Sequence, residues 1–208
     1  MEQIEQQITE IKEELRESPG DAALLNELGV GYHMLGEYDQ AAEAYQRSLA
    51  ADPGNFKTHF NLANTFFELN QIERAVTHYL DAIDIQPDYV PALNNLADIY
   101  ELAGETEKAQ ELFEHITKIK PDDAMGYFNL GNHHLRANNT VEAGHCYKKA
   151  IELNPDFYEA YNNIGYMLKH IEQYEEAISY FEQCLEISPD YEPARQDLDA
   201  CRKALQQS

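Results

Sequence analysis

AALLNELGVGYHMLGEYDQAAEAYQRSLAADPGN, residues 22–55, is one unit of a pattern that recurs every 34 residues without a slip. Pro19, Pro53, Pro87, Pro121, Pro155 and Pro189 mark one register of it. Small residues mark a second at Gly29, Ala63, Ala97, Gly131 and Gly165, and alanines a third at Ala41, Ala75, Ala109, Ala143 and Ala177. Each of those alanines is followed four residues later by an aromatic: Tyr45, Tyr79, Phe113, Tyr147 and Phe181. A fixed period in this range means stacked copies of one supersecondary unit, none of which can bury its apolar face alone. Function is then expected on the surface of the stack, not in a closed catalytic pocket.

Within the quoted unit the apolar residues fall at helical spacing. Leu25, Leu28, Gly29 and Tyr32 occupy one face of a first helix, and Ala41, Tyr45, Ser48 and Leu49 one face of a second. Gly36 lies between them, where a left-handed residue ends a helix at little steric cost. Asn70, Gly104 and Asn138 hold the equivalent positions and tolerate that conformation. Glu172 is the exception, and a different turn or local strain is expected there. The small residue lets the two helices approach, and the aromatic fills the space between them and the next repeat. Burial of each ring is expected to contribute about 1.5–3 kcal/mol.

On these residues the chain resembles the tetratricopeptide repeat family. Five units are predicted at 22–55, 56–89, 90–123, 124–157 and 158–191. The departures from the family pattern are a fourth position held by Leu25, His59, Leu93, Tyr127 and Tyr161, the absence of tryptophan, and Ser48, Ile116 and Cys184 in place of a late alanine. Residues 1–19, with Ile4, Ile8, Ile11 and Leu15 in a stripe, read as an N-terminal capping helix. Residues 192–208, with Ala194, Leu198, Cys201 and Leu205 on one side, read as a C-terminal one. The expected fold is an all-α, right-handed α-solenoid of five helix pairs with a cap at each end, forming a single domain.

The resemblance implies a concave wall built by the first helices, with the second, fifth, sixth, ninth, twelfth and thirteenth residues of each unit facing inward. Asparagine crowds these positions. Asn61, Asn95, Asn129 and Asn163 hold the sixth, Asn26, Asn94 and Asn162 the fifth, and Asn64 and Asn132 the ninth. Asparagine is a mediocre helix former because its amide competes for backbone hydrogen bonds, so its clustering in mid-helix needs a reason. A carboxamide can pair with both the C=O and the N–H of a guest backbone. With packed helices about 8–10 Å apart, one asparagine per unit would meet an extended peptide at about every third residue. Resemblance to O-GlcNAc transferase-like arrays, which use such a ladder, adds weight. The plainer alternative is that these amides are simply solvated.

Phe60, Phe67, Phe128, Leu135, Tyr166, Met34 and Leu102 also fall at inward positions, where they would add apolar selectivity or be covered by the adjacent unit. Lys57, Arg136 and Lys169 add cations, against Glu27, Glu68, Asp98, Glu101 and Glu159. The residues expected to hold a peptide are Asn61, Asn64, Asn95, Asn129, Asn132, Asn163, Phe60, Phe128, Lys57, Arg136 and Tyr166. The lysine and arginine clamp of the family's heat-shock co-chaperones is absent. Its fifth-position lysine is replaced by Asn26, Phe60, Asn94, Phe128 or Asn162, and Pro91 and Asn95 stand at the later basic slots.

Composition narrows the partner. Fifteen Lys and Arg stand against 38 Asp and Glu, a formal charge of −23. Nucleic acid needs clustered cations, so it is not expected as a ligand, and neither is an anionic membrane. No apolar run reaches membrane-spanning length, and the acidic N-terminus is unlike a secretion signal. Cys146, Cys184 and Cys201 show no metal-type spacing or disulfide framework, which suits a reducing cytoplasm. His133 and His134 are adjacent on a helix and point about 100° apart, so they are poorly placed to share an ion. His134 replaces a core aromatic and reads as a packed histidine. No metal or cofactor is expected, and no phosphate loop, nucleophile elbow or zinc-protease helix is present.

These observations lead to a non-catalytic adaptor that holds an extended protein segment of neutral or basic character in an asparagine-lined groove. It is expected in the cytoplasm as a monomer or weak homo-oligomer. The alternatives are a self-assembling scaffold, or the recognition arm of a larger enzyme.

Overall fold

The computed structural model describes residues 1–207, so of the predicted C-terminal cap Ser208 lies outside the described residues. The fold is an all-α solenoid. Helix α1 (Glu2–Glu17) precedes the pairs α2 (Ala22–Met34) and α3 (Tyr38–Ala51), and α4 (Phe56–Glu68) and α5 (Ile72–Ile85). There follow α6 (Val90–Leu102), α7 (Thr106–Ile119), α8 (Ala124–Arg136), α9 (Thr140–Leu153), α10 (Tyr158–His170), α11 (Tyr174–Ile187) and α12 (Glu192–Gln207). The chain forms two compact units, Met1–Glu105 and Thr106–Ser208. In the first, α2 packs on α3, α4 on α5, and α3 on α4; in the second, α8 on α9, α10 on α11, and α11 on α12.

The breaks follow from local chemistry. Each first helix stops at a left-handed residue: Gly36 (φ 76°), Asn70 (φ 57°), Gly104 (φ 75°), Asn138 (φ 62°) and Glu172 (φ 61°). One residue further on, an N–H reaches back to close the end, as in Glu37 N–H to Tyr32 C=O at 2.9 Å and Gln173 N–H to Leu168 C=O at 3.0 Å. This is the six-to-one bond of a Schellman motif. Glu172 therefore makes the same turn as its equivalents and carries the strain of a Cβ in that conformation. Glu172→Gly should raise stability by about 1 kcal/mol, to be checked by chemical denaturation. The second helices stop because the residue before a proline is pushed out of the helical region. Asp52, Gln86, Asn154 and Ser188 sit at φ between −137° and −126°.

The core repeats as the sequence frame requires. Ala41, Ala75, Ala109, Ala143 and Ala177 are fully buried, as are the aromatics Tyr45, Tyr79, Phe113, Tyr147 and Phe181. Tyr45, Tyr147 and Phe181 lie directly on Gly29, Gly131 and Gly165 of the first helices. A Cβ built on Gly29 would stand 2.5 Å from Tyr45 Cε1, and one on Gly131 would stand 2.7 Å from Tyr147 Cε1. Ser48, at a position where alanine is usual, is buried and donates from Oγ to the Ala22 carbonyl at 2.7 Å. Helix α1 seats Ile8 and Leu15 against Leu25, Leu28 and Ala44. Helix α12 seats Ala194, Leu198 and Cys201 against Ala177, Phe181 and Cys184.

Aromatics seal the joints between pairs. Tyr89, just before α6, meets Phe56 and Phe60 edge-on at 4.9 and 5.2 Å. Phe157, just before α10, meets Phe128 at 4.7 Å, and Tyr191, before α12, meets Tyr158 at 5.0 Å.

Candidate functional site

In the first unit Asn26, Asn61, Asn64 and Asn95 are half-buried and bond in pairs across neighbouring first helices. Asn26 Oδ1 accepts from Thr58 Oγ at 3.0 Å and from Asn61 Nδ2 at 3.4 Å. Asn64 Oδ1 accepts from the Tyr79 hydroxyl and, at 2.9 Å, from Asn95 Nδ2, which also donates to the Tyr79 oxygen at 3.1 Å. The second unit repeats this node. There Asn132 Oδ1 accepts from the Tyr147 hydroxyl at 2.8 Å and from Asn163 Nδ2 at 3.0 Å. Asn163 Oδ1 in turn accepts from Asn162 Nδ2 at 3.4 Å. Asn129 is half-buried on α8.

The nodes tie three helices together: α4, α5 and α6 in the first unit, and α8, α9 and α10 in the second. Burial pushes the Tyr79 and Tyr147 hydroxyls up to about 12, so both remain donors at any ordinary pH. Part of the amide chemistry is thus taken up by the fold. What remains at the first node is one donor, Asn64 Nδ2, and one acceptor, Asn95 Oδ1, neither of which makes a further hydrogen bond among the described residues.

Around this remainder lies a cleft of about 400 Å³ lined by His33, Asn64, Phe67, Glu68, Tyr79, Asn95, Asp98, Ile99 and Leu102. Phe67 is 40% and Leu102 80% exposed, so apolar surface flanks the amides. His33 is fixed by a 3.0 Å hydrogen bond between its Nδ1 and Thr65 Oγ. Phe60 lies outside this lining, half-buried against Tyr79 and Tyr89. Lys57 is exposed, with Nζ 5.9 Å from the Phe56 ring centre.

The second unit has a cleft of about 660 Å³ at the turn ends of α8 and α10, lined by residues that include Leu135, Arg136, Val141, Tyr166, Met167 and Ile171. Arg136 and Tyr166 come together there, away from the Asn132 node. Phe128 is packed between Tyr147 and Phe157. Lys169 is held by Asp197 of α12 at 2.6 Å, so the terminal helix neutralises one of the cations expected to face a ligand.

The thiols are quiet. Cys184 and Cys201 are fully buried, and burial pushes Cys184 and half-buried Cys146 up to about 11. His134 is buried beside His133, and burial together with that neighbour holds it below the usual imidazole range.

The hydroxyl partners of the amides, Tyr79 and Tyr147, were not among the expected site residues. A signal for them does exist. Asn64, Tyr79 and Asn95 recur two repeat lengths later as Asn132, Tyr147 and Asn163, and the fifth position alternates between Asn and Phe. The node belongs to every second repeat, a longer period hidden inside the shorter one.

Comparison with known proteins identifies the fold. A model of the tetratricopeptide repeat protein 21 C-terminal ARM domain matches residues 46–195, and a tetratricopeptide repeat model matches residues 22–55. Among solved structures, MamA is 24% identical at a TM-score of 0.71, covering 78% of this chain and 95% of that one. YrrB, described as a TPR protein with an unusual peptide-binding site, is 16% identical at 0.71, covering 89% and 96%. The C-terminal part of a TPR repeat-containing protein from Cytophaga hutchinsonii is 17% identical at 0.80, covering 95% and 79%. At these identities the likeness is one of fold. No curated protein gives a significant match. No helix among the described residues is long and apolar enough to cross a membrane.

Proposed function

Because this chain belongs to the tetratricopeptide repeat family, we propose that it is a non-catalytic interaction scaffold that takes an extended protein segment on its first helices. The observation that carries this reading is the cleft of the first unit. An amide donor and an amide acceptor left over from the Asn64–Tyr79–Asn95 node lie between exposed Phe67 and Leu102. A backbone carbonyl and N–H pair satisfies the amides whatever the guest's sequence. Phe67 and Leu102 are covered by an apolar group of the guest, and Glu68 and Asp98 on the same wall favour a neutral or basic guest over an acidic one. The relation to YrrB, whose description names a peptide-binding site, is in keeping with this mode. In the second unit Asn132 Nδ2 is left over from its node in the same way, and Tyr166, 40% exposed, adds apolar surface in the neighbouring cleft.

The test is selection from a peptide display library, followed by affinity measurement on the selected peptides. We expect apolar, neutral-to-basic segments whose binding falls at least tenfold, about 1.4 kcal/mol, in a Phe67→Ser/Leu102→Ser double variant. Both side chains are exposed, so that variant should melt as the wild type does. A library that yields no binder, or affinities indifferent to both changes, would overturn the reading.

A further inference from the structure

Apart from the asparagine nodes, a second constellation lies within the α4–α5 pair. His59 on α4 and His78 and Asp81 on α5 converge. His59 Nδ1 and His78 Nδ1 are 3.0 Å apart, and Asp81 Oδ2 lies 3.4 Å from the first and 3.3 Å from the second. The side chains are 12%, 22% and 43% exposed, so the cluster opens to solvent on the Asp81 side. We propose that His59, His78 and Asp81 form a binding site for one divalent transition-metal ion of the Zn²⁺ class.

The triangle has the dimensions such an ion requires. Zn–N and Zn–O bonds are about 2.0–2.2 Å. An ion at that distance from all three atoms would stand roughly 0.8 Å above their plane, close to the displacement of a tetrahedral centre from one of its faces. The fourth position faces solvent and would take water or a side chain from a docked partner. Two imidazoles and one carboxylate suit Zn²⁺, Co²⁺, Ni²⁺ or Cu²⁺ better than Mg²⁺ or Ca²⁺, which prefer all-oxygen sets.

The surroundings prepare the ligands. His59 Nε2–H donates to the Pro53 carbonyl at 3.2 Å, which leaves a lone pair on Nδ1. Metal-bound histidines commonly have such a carbonyl partner on the far nitrogen. The His78 ring stacks on Phe66 with centroids 5.6 Å apart, and this contact limits its rotation. Without an ion, a hydrogen on His78 Nδ1 bridges to His59 Nδ1 or to Asp81; to bind metal through Nδ1, a neutral His78 moves that hydrogen to Nε2 and stays neutral. Arg74, a cation near enough to disfavour a charged His78, lies over the Phe66 face at 3.7 Å and is bonded to Gln71 Oε1 at 2.5 Å.

The repeat supplies its own control. The positions equivalent to His59 hold Leu25, Leu93, Tyr127 and Tyr161. Those equivalent to His78 hold Ala44, Leu112, Cys146 and Tyr180, and those equivalent to Asp81 hold Arg47, His115, Lys149 and Gln183. Only the second repeat carries a metal-ligating residue at all three. Packing is satisfied without them in the other four, so the fold does not explain their joint presence. No local motif announces the set, because His59 and His78 lie on different helices.

The test is titration of the metal-stripped full-length protein with Co²⁺. We expect one equivalent to bind with the visible bands of a low-coordinate nitrogen and oxygen site, to be displaced one-for-one by Zn²⁺, and to raise the melting temperature. Asp81→Asn should weaken binding more than tenfold, and His59→Gln/His78→Gln should abolish the equivalent. Asp81→Cys should keep the equivalent and add a sulfur-to-cobalt charge-transfer band in the near ultraviolet, which serves as the deciding readout if the double variant fails to fold. The proposal fails if the wild type shows no saturable equivalent, if a folded double variant keeps it, or if Asp81→Cys binds without the new band.

Discussion

Tyr147→Ala is expected to cost about 3–5 kcal/mol, the usual range for deleting a large ring from a packed core. Tyr147 is fully buried, lies directly on Gly131, packs against Phe128 at 5.7 Å and donates its hydroxyl to Asn132. Removing the ring empties the space between α8 and α9, and it also strips the Asn132–Asn163 bond of its third member. In a stacked array each interface contributes its own share of stability, so the damage should begin locally. Hydrogen exchange should show protection lost first over α8, α9 and α10. Tyr147→Phe isolates the hydroxyl and should cost only about 1–2 kcal/mol. Equal denaturation midpoints for the Ala and Phe variants would mean that the ring anchors nothing.

Gly29→Val should destabilise by about 3 kcal/mol. The added Cβ would stand 2.5, 2.6 and 2.8 Å from Tyr45 Cε1, Cδ1 and Cζ, closer than carbon atoms approach. Tyr45 is itself 1% exposed, so it can yield only by moving α3. Gly29→Ala is the informative control. The equivalent slots already hold fully buried Ala63 and Ala97, so a methyl can be housed by this architecture. Alanine also gains about 1 kcal/mol of helix propensity over glycine, which offsets part of the crowding. The branched side chain gains less and demands more room. Thermal melts of the two variants should therefore separate clearly, and coincident melts would contradict the close-approach account.

How far the site could be foreseen differs residue by residue. Asn64 and Asn95 were expected from their repeat positions, but repeat position says nothing of how two amides on neighbouring helices will meet. Whether Asn95 bonds to a guest or to Asn64 depends on a helix–helix distance, which only packing fixes. Phe60 and Phe128 illustrate the same point. Their positions are inward by the repeat frame, but Tyr89 and Phe157, entering from the next helix pair, cover them. Phe67 and Leu102 have no such neighbour and remain exposed. The metal-type cluster lay further from view, since only His78 and Asp81 share a helix and His59 reaches them from α4, nineteen residues before His78.

Sequence alone determined the helix pairs, their order, their ends and the identity of the buried faces. Those properties depend on interactions within one repeat or on a period that recurs, and the sequence displays both directly. It also determined that Glu172 would be the uncomfortable member of its class, because a side chain's conflict with a left-handed backbone is local. Tertiary structure decided which polar groups are used up and which are left over. Hydrogen bonds saturate, so an amide engaged by a tyrosine across the joint offers less to a ligand. Which partner reaches it first is settled by the packing of helices brought together from different repeats.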